Sequence, residues 1–304
     1  MSELGNTLLI ANPVAQSGRG LAAAQRVWKL LSDQLGDSVS LAMTKSAHHA
    51  VDLAAGAANF DTVVAIGGDG VIHEVSNGLM ALPNDDRPKL GLVPVGSGND
   101  YAHMLGVSSD LRTACGQLLS AEALDADVGL VNGTFYVETL SFGLDAAIAL
   151  DTMDRRKRTG KSGTPLYMAS GFDQLMHHLD SLSYTVQFDD EEPVSGMSIT
   201  FAVQLGKYYG GGFNICPDAS LTDGLFDICI AHPPVGKLKA AVVFMMAKGG
   251  KHRKVKQIET RTASKVRIEF SEEPPAQVDG ERIEGRVFDI DVVPHALRVL
   301  RPAP

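Results

Sequence analysis

The 304-residue sequence lacks the usual marks of a disulfide-stabilised or zinc-binding protein. It holds three cysteines, an odd number, at widely spaced positions, with no C-x-x-C pair and no Cys/His cluster of zinc-type spacing. We therefore expect Cys115, Cys216 and Cys229 to be small buried side chains in a reducing compartment, which favours a cytoplasmic protein.

The sequence also lacks a secretion signal, a membrane-spanning segment and an excess of positive charge. The apolar run 240–247 is far shorter than the about 20 residues that cross a bilayer, and the amino terminus has no positively charged n-region. With 27 Lys and Arg against 36 Asp and Glu, the net charge of −9 argues against sequence-independent nucleic-acid binding. Any membrane contact is expected to be peripheral and transient.

The main glycine-rich turn, residues 67–70 (Gly-Gly-Asp-Gly), follows neither the G-x-G-x-x-G nor the Walker pattern. The apolar run 62–66 precedes it, and Ile72, Val75 and Leu79 follow at i, i+3 and i+7, which predicts a strand, a turn and a helix. Three glycines let backbone approach an anion, and the first helical turn offers unpaired N–H groups to phosphate. The turn is therefore predicted to bind a nucleotide triphosphate.

A second strand, turn and helix follow in the same format. The apolar run 90–95 leads into residues 96–100 (Gly-Ser-Gly-Asn-Asp), and residues 101–105 predict a helix start. In open α/β sheets ligands gather at the carboxyl ends of the strands. Asp69 and Asp100 are therefore expected at the same edge of one parallel sheet.

The pattern of predicted secondary structure changes near residue 130. The first third alternates short apolar runs with helix-period segments, which predicts an α/β domain, residues 1–130, with a parallel sheet covered by helices on both faces. Residues 131–293 consist of turn-punctuated strands, which predicts an all-β sandwich. The predicted strands are 134–140, 183–188, 197–204, 225–230, 265–270 and 287–293, with a helical insertion between 151 and 182.

Five blocks carry a family resemblance: residues 67–79, 93–106, 124–129, 217–227 and 278–281. In order and spacing they resemble the diacylglycerol kinase catalytic-domain superfamily, most closely its soluble bacterial lipid kinases and more distantly sphingosine and ceramide kinases. GGDG alone also occurs in NAD kinases and phosphofructokinases, whereas GGDG with GSGND, DGL and VDGE is specific. The resemblance implies a fold like that of NAD and diacylglycerol kinases, and a last segment, 294–304, that returns to the first domain.

The resemblance also implies ATP and Mg²⁺ as cofactors, with site residues in the first domain. Asp69, Asp100 and Asp127 would belong to a network that holds Mg²⁺ largely through water, although each could simply cap the following helix or turn. Val71 stands where the family usually has Thr. The further residues expected to contact the nucleotide are Asn12, Ser17, Gly18, Thr44, Gly67, Gly68, Gly70, Val71, Ile72, His73, Ser97 and Asn99.

In the second domain the resemblance places a general base in the turn 278–281. Glu281 takes the proton-acceptor position, with Asp279 close enough to share or support the role, and the alternative is an ordinary acidic β-turn. A structural Mg²⁺ or Ca²⁺ maps to Ser220, Asp223 and Leu225, against the alternative that Asp223 makes an Asx-turn.

The leading hypothesis is an ATP-dependent lipid kinase that phosphorylates the hydroxyl of diacylglycerol or a related lipid alcohol in the cleft between the domains. Its rivals are a kinase of a soluble substrate, as in NAD kinases, and a catalytically weak regulator that binds lipid or nucleotide. Two basic runs, 155–161 and 248–256, are either solvated faces or contacts to an anionic membrane. No nucleic-acid partner is expected, and a homodimer is left open.

Overall fold

The computed structural model describes residues 4–303, except for the side chains of Gln16 and Ser17. The chain divides into two compact units: the first runs to Val128 and resumes at Pro294, and the second comprises Gly129–Val293. Across the described range no helix is both long and apolar enough to cross a bilayer. Each unit has its own hydrophobic core, and the units are described separately.

The first unit is an α/β domain on a parallel sheet. Its strands run in the order β2-β1-β3-β4, and because this order reverses between β1 and β3, the loops after these two strands flank a topological switch point. Its elements are β1 (Thr7–Ala11), α1 (Ala15–Gly18), α2 (Gly20–Leu35), β2 (Val39–Met43), α3 (His49–Ala55), β3 (Thr62–Gly67), α4 (Asp69–Met80), β4 (Lys89–Pro94), α5 (Asp100–Met104) and α6 (Leu111–Leu119).

Both faces of this sheet are buried. Leu9 and Val64 pack in one cluster with Val27 and Leu31 of α2, and with residues of α6. Ile10 and Ala65, which point to the opposite face by strand alternation, are also buried, and α3 and α4 pack beside β1 and β3. Strands buried on both faces read as continuous apolar runs, which explains why the sequence pattern identified them.

The carboxyl-terminal segment completes the first unit. Val299, near the end of the last strand, pairs in parallel with Leu90 of β4. The segment is fastened by Asp127, whose fully buried Oδ1 accepts a hydrogen bond from the His295 backbone N–H at 2.8 Å. His295 itself adopts a positive φ of 52°. The buried carboxylate of Asp127 therefore holds a local backbone bend.

The second unit is an antiparallel β-sandwich with three helices. One sheet has the order β14-β13-β10-β7-β16-β17, and the other is formed by β9, β8, β15 and the first residues of β18. Two strands, β5 (Glu122–Val131) and β18 (Val287–Arg301), lie partly in each unit. The other elements are β6 (Thr134–Tyr136), β7 (Thr139–Gly143), α7 (Leu144–Thr159), α8 (Thr164–His177), β8 (Leu182–Phe188), β9 (Val194–Ser198), β10 (Thr200–Gln204), β11 (Tyr208–Tyr209), β12 (Phe213–Asn214), β13 (Phe226–Ala231), α9 (Lys237–Ala247), β14 (Ile258–Ala263), β15 (Lys265–Phe270), β16 (Ala276–Val278) and β17 (Glu281–Arg282).

Aromatic side chains join the two sheets. Phe142 of one sheet lies 5.1 Å from Phe270 and 4.7 Å from Phe288 of the other, measured between ring centroids, and Phe201 lies 5.3 Å from Tyr184. All five are buried, and such pairs contribute beyond their area. The predicted fold class, an α/β domain followed by a β-sandwich, is confirmed.

Two predicted strands of the second unit are each divided in two. The predicted strand 134–140 breaks because Val137, Glu138 and Thr139 direct their N–H groups to the carboxylate of Asp279. The predicted strand 197–204 breaks at Ile199, where β9 ends in one sheet and β10 begins in the other. The helical insertion also begins earlier than predicted, at Leu144.

Candidate active site

The two predicted glycine turns of the first unit meet backbone to backbone. A Cβ added to Gly96 would lie 2.4 Å from Gly68 Cα, and one added to Gly68 would lie 2.9 Å from Gly96 Cα. The Val95 N–H donates to the Gly67 carbonyl at 2.7 Å. Glycine is therefore required at both 68 and 96, because any side chain there would separate the turns.

Asp69 joins the same two turns through its side chain. Its Oδ2 accepts a hydrogen bond from the Asn99 backbone N–H at 2.9 Å, and Asn99 adopts the left-handed conformation with φ of 60°. The Asn99 Oδ1 in turn accepts from Gly96 N–H at 2.8 Å. The structure thus brings the predicted residues of both turns into one hydrogen-bonded group at the carboxyl ends of β3 and β4.

The first turn of α4 supplies the open surface of this group. The N–H groups of Val71 and Ile72 donate to the Gly68 carbonyl at 2.9 and 3.2 Å, so they are used within the helix. Gly70 is exposed, and nothing lies within 4 Å of where its Cβ would stand. The accessible backbone for an anion is therefore at Asp69 and Gly70 rather than further along the helix.

Val71, Ile72 and His73 serve the packing of α4. All three side chains are buried, and Val71 fills the space beside Gly67, where an added Cβ would lie 2.5 Å from Val71 Cγ2. The His73 carbonyl accepts a hydrogen bond from Asn77 Nδ2 at 2.9 Å. A valine in place of the family's usual threonine is thus accommodated as a packing residue, and the predicted nucleotide contacts of these three residues remain predictions.

Two further predicted residues lie at the same edge of the sheet. Asn12 follows β1 and accepts a hydrogen bond from Val14 N–H through its Oδ1 at 3.0 Å, while Thr44 follows β2 and donates its N–H to the Ala11 carbonyl at 2.9 Å. Gly18 ends α1, Ser97 is half-buried in the second turn, and the side chain of Ser17 lies outside the described residues.

The three aspartates predicted to organise Mg²⁺ differ in their surroundings. Asp69 is half-buried in the glycine turn, Asp100 is 5% exposed at the start of α5, and Asp127 is fully buried against His295. Between residues 4 and 303 no group of three His, Cys, Asp or Glu side chains is spaced to hold a metal directly. A metal held largely through water, as the family resemblance implies, therefore remains a prediction.

The predicted base lies in a tight hairpin of the second unit. Asp279 and Gly280 connect β16 to β17 with φ of 46° and 91°, the two positive values that a type I′ turn requires. The Asp279 carboxylate accepts three backbone hydrogen bonds, from Val137, Glu138 and Thr139, at 2.9 to 3.1 Å. Asp279 is 7% exposed and thus holds the turn against the preceding chain segment.

Glu281 is the carboxylate of this turn that is available for chemistry. It begins β17, is half-buried, and makes no side-chain hydrogen bond or ion pair with another described residue. Three N–H bonds to Asp279 occupy both of its oxygens, whereas the oxygens of Glu281 are open to a ligand. The geometry therefore favours Glu281 over Asp279 as the proton acceptor.

The predicted structural-metal loop makes the local turn that was its alternative. Asp223 Oδ1 accepts the Leu225 N–H at 3.2 Å, which is an Asx-turn, and Ser220 Oγ accepts the Thr222 N–H at 3.3 Å. Burial, followed by the charges of Asp223 and Asp218, raises the pKa of Asp227 to about 6. The loop is acidic, and a cation on Ser220, Asp223 and Leu225 remains a prediction.

An apolar cavity lies in the second unit, and its lining residues were not identified from the sequence. It offers about 800 Å³ of space, its open mouth included, between β10, β13 and the helices α7, α8 and α9. Its lining is mainly aliphatic and aromatic, for example Ile148, Leu175, Phe213, Val243 and Phe244. Such a lining fits a hydrocarbon chain.

One carboxyl group interrupts this lining. Asp145, at the start of α7, is 6% exposed, and burial raises its pKa to about 7 against the opposing effect of the Tyr209 and Ser141 hydroxyls. The sequence contains a signal that could have identified this residue: Asp145 is the one charged residue in the apolar run 139–150. An acid in such a run marks either a helix start or a polar site in a core.

Comparisons with known proteins agree with this architecture. Residues 6–131 match the family model of the diacylglycerol kinase catalytic domain, and residues 138–301 match that of the YegS C-terminal NAD kinase beta sandwich-like domain. A crystal structure of a diacylglycerol kinase from Bacillus anthracis str. Sterne superimposes with a TM-score of 0.77 at 20% identity, over 100% of this chain and 99% of that one. An NAD kinase from Archaeoglobus fulgidus in complex with ATP gives 0.52 at 10% identity, over 98% and 93%. The fold is thus that of the kinases that pair an α/β domain with a β-sandwich.

Two sequence relatives narrow the class of kinase. The diacylglycerol kinase of Bacillus subtilis (strain 168) is 32% identical over 252 residues, 82% of this chain and 81% of that protein. A "Probable lipid kinase YegS-like" protein of Yersinia pseudotuberculosis serotype I is 31% identical over 242 residues, 79% of each chain. The chain belongs to the diacylglycerol kinase/YegS family of lipid kinases.

The close approach of the two glycine turns predicts opposite effects of two Gly→Ala changes. Gly96→Ala should lower the free energy of unfolding by roughly 1–3 kcal/mol, because its Cβ would overlap Gly68 Cα. Gly70→Ala, with open space around its Cβ in a helix, should leave stability unchanged or slightly raised. Urea unfolding of both variants measures the difference, and equal stabilities would show that the turns are not in contact.

Proposed function

We propose that the protein is an ATP- and Mg²⁺-dependent kinase that transfers a phosphoryl group to the hydroxyl of diacylglycerol or a related lipid alcohol. The observation that supports a lipid substrate is the apolar cavity of the second unit. Its lining suits a hydrocarbon chain and offers few hydrogen-bond partners to a polar substrate. The proposal requires that nucleotide held by the first unit and lipid held by the second meet in a shared cleft. The name of the Bacillus subtilis relative, diacylglycerol kinase, supports the same class of substrate.

The glycine turns of the first unit fit a nucleotide triphosphate. The space above Gly70 and the N-terminus of the twelve-residue helix α4 admit a phosphate group without displacing a side chain. ATP supplies the phosphoryl group, and Mg²⁺ bound near Asp69 and Asp100 would neutralise phosphate charge. In this arrangement Asp69 has two tasks, since one of its oxygens also fixes Asn99.

The turn of the second unit supplies the proton acceptor. Glu281 would take the proton of the lipid hydroxyl as the phosphoryl group is transferred, and Asp279 would position it by fixing the hairpin. A carboxylate in this role contributes roughly 10²–10⁴-fold to the rate. The acceptor function thus falls to Glu281, while Asp279 acts through the backbone.

The helices α8 and α9 are the proposed face for an anionic membrane. Leu238, Val242 and Met245 of α9 are 85%, 59% and 47% exposed at i, i+4 and i+7, and Phe172 and Met176 of α8 are 41% and 45% exposed. A row of exposed apolar side chains on a helix is typical of interfacial helices, which lie in the headgroup region of a bilayer. The opposite side of α9 lines the cavity, so the lipid would enter from this face.

Positive charge surrounds the same helices and supports an anionic surface as the partner. The exposed lysines near α9 are Lys237, Lys239, Lys248, Lys251 and Lys254. Some members of the two basic runs are engaged elsewhere: Arg155 pairs with Asp151 and Asp173, Arg253 pairs with Asp218, and His252 is buried. The docking role therefore falls to the remaining exposed lysines and arginines.

The two rival functions have weaker support. A soluble dinucleotide as acceptor would need polar partners that the cavity lining does not offer. A catalytically weak regulator was suggested by Val71, yet Val71 packs beside Gly67 and leaves the open backbone at Gly70 unchanged. The lipid-kinase function therefore remains the one that both units support.

Labelled ATP with a total lipid extract provides the test of function. We expect phosphate to appear in a chloroform-soluble product that mass spectrometry identifies as a phosphorylated lipid. Asp69→Asn should reduce turnover by at least about 100-fold, because the charge near the phosphates is lost while the shape is kept. Label incorporated only into water-soluble products would refute the lipid acceptor, and an active Asp69→Asn enzyme would refute the role of Asp69.

Substitution of one hairpin carboxylate should affect the rate, and substitution of the other should affect stability. Glu281→Gln is expected to lower kcat by roughly 10²–10⁴-fold without changing the melting temperature, because no fold contact is lost. Asp279→Asn should cost roughly 1–3 kcal/mol in unfolding free energy, since an amide NH₂ would face a backbone N–H. Thermal melts and steady-state kinetics of both variants measure this. A fully active Glu281→Gln variant would assign the base elsewhere.

The exposed row on α9 should govern vesicle binding. Replacing Leu238, Val242 and Met245 together by serine is expected to weaken partitioning onto phosphatidylglycerol vesicles by at least about tenfold. The matched control replaces Val194 and Met197, which are 52% and 46% exposed on β9, by serine. Sedimentation at low and high salt measures binding, and equal loss in both variants would remove α9 as the docking face.

A further inference from the structure

One carboxyl group stands alone in the apolar cavity of the second unit. Asp145 Oδ2 accepts a hydrogen bond from the Tyr209 hydroxyl at 2.9 Å. Its Oδ1 is buried and has no hydrogen bond of normal geometry with any residue in the range 4–303. An enclosed acceptor without a donor is unfavourable, and native proteins seldom leave one unless a ligand or water supplies it.

The cavity contains no internal counter-ion for Asp145. No lysine or arginine is present in the described lining. Burial lowers the pKa of His252, raises that of Cys229 to about 12 and raises that of Tyr209, so these neighbours are neutral near pH 7. The Tyr209 and Ser141 hydroxyls and the N–H groups of Asp145 and Ala146 all act on this carboxyl, yet none makes a hydrogen bond of normal geometry to Oδ1. A ligand that completes the hydrogen bonding of the ionised Oδ1 is therefore a hydrogen-bond donor.

Hydrogen bonds tie this end of the cavity to the hairpin of the base. Ser141, whose hydroxyl acts on Asp145, accepts from Gln277 Nε2 at 2.8 Å. Gln277 Oε1 accepts the N–H of Gly280, between Asp279 and Glu281, at 2.7 Å. The polar end of the cavity is thus the end connected to Glu281, which is where a lipid headgroup would lie while its chain occupies the apolar remainder.

We propose that Asp145 forms a headgroup subsite that accepts a hydrogen bond from a second donor on the lipid, a hydroxyl or an amine beside the chain. This inference rests on the lipid-kinase function proposed above. Diacylglycerol carries a single hydroxyl, and its ester groups only accept hydrogen bonds, so it cannot donate to the ionised Oδ1 while presenting its hydroxyl to Glu281. A single-chain lipid with two donors, such as a monoacylglycerol, satisfies both.

Equilibrium binding without nucleotide tests the subsite on the full chain. Three lipids delivered from cyclodextrin separate the variables: oleyl alcohol has one chain and one hydroxyl, monooleoylglycerol one chain and two hydroxyls, and dioleoylglycerol two chains and one hydroxyl. We expect the wild type to bind monooleoylglycerol about tenfold more tightly than oleyl alcohol or dioleoylglycerol. Asp145→Leu should remove this preference and leave the affinity for oleyl alcohol unchanged.

Two closer variants keep the test valid if Asp145→Leu does not fold. In Asp145→Asn the Tyr209 hydroxyl donates to the amide oxygen and the NH₂ group takes the place of Oδ1. The NH₂ group can donate to an ester carbonyl, so the preference for monooleoylglycerol over dioleoylglycerol should be lost. Tyr209→Phe leaves Oδ1 in place and should keep the preference. If Asp145→Asn binds the three lipids in the wild-type order and ratio, Asp145 is a structural residue and the proposal is overturned.

The phosphorylation assay separates this inference from the proposed function. Phosphorylation of lipids by a wild type that binds all three equally would overturn the subsite and leave the kinase intact. An Asp145-dependent donor preference without any lipid phosphorylation would support the subsite and overturn the kinase.

Discussion

The hairpin that carries the proposed base depends on one carboxylate that is itself buried. Asp279 accepts the N–H groups of three consecutive residues, and this arrangement ends β6, begins β7 and fixes the hairpin that carries Glu281. Both Asp279 oxygens are used for the backbone, whereas the neighbouring Glu281 has the freedom that the proposed role of proton acceptor requires. The division resembles that of many catalytic pairs, in which one group is held by the fold so that the other can be placed.

In the first unit, close contact between backbones takes the place of a buried carboxylate in positioning the turns. Two turns from different strands must come close enough to form one surface for phosphate, and only glycine at 68 and 96 permits the approach. Asp69 then locks them through Asn99, whose left-handed backbone turns its N–H toward the carboxylate. The proposed nucleotide site is thus shaped by positions with no side chain, which is why the glycine pattern was so informative.

The sequence predicted the fold class and most elements because both rest on local periodicity. Apolar strands such as β1 and β3, and the glycine turns, reflect the local chain and were found directly. The break after Tyr136 was missed because its cause, Asp279, lies far along the chain, and sequence patterns do not reveal such contacts. The same limit hid the residues of the cavity, whose wall joins Ile148, Phe213 and Phe244 from separate elements. The sequence favoured Glu281 over Asp279 as the base only through the family resemblance, whereas the three backbone hydrogen bonds to Asp279 distinguish the two physically.

Helix α9 has apolar side chains on both sides, with one side on the cavity and the other at the surface. On the cavity side Ala240 and Ala247 are buried, and Phe244 stacks on Phe213 at 4.8 Å between ring centroids. Helices of this length draw most of their stability from tertiary packing, so α9 depends on these buried side chains and on the ring contact. The apolar lining also has a consequence for the proposed product: a phosphorylated headgroup, now charged, is poorly suited to a dry cavity, so phosphorylation itself would weaken the binding of the lipid.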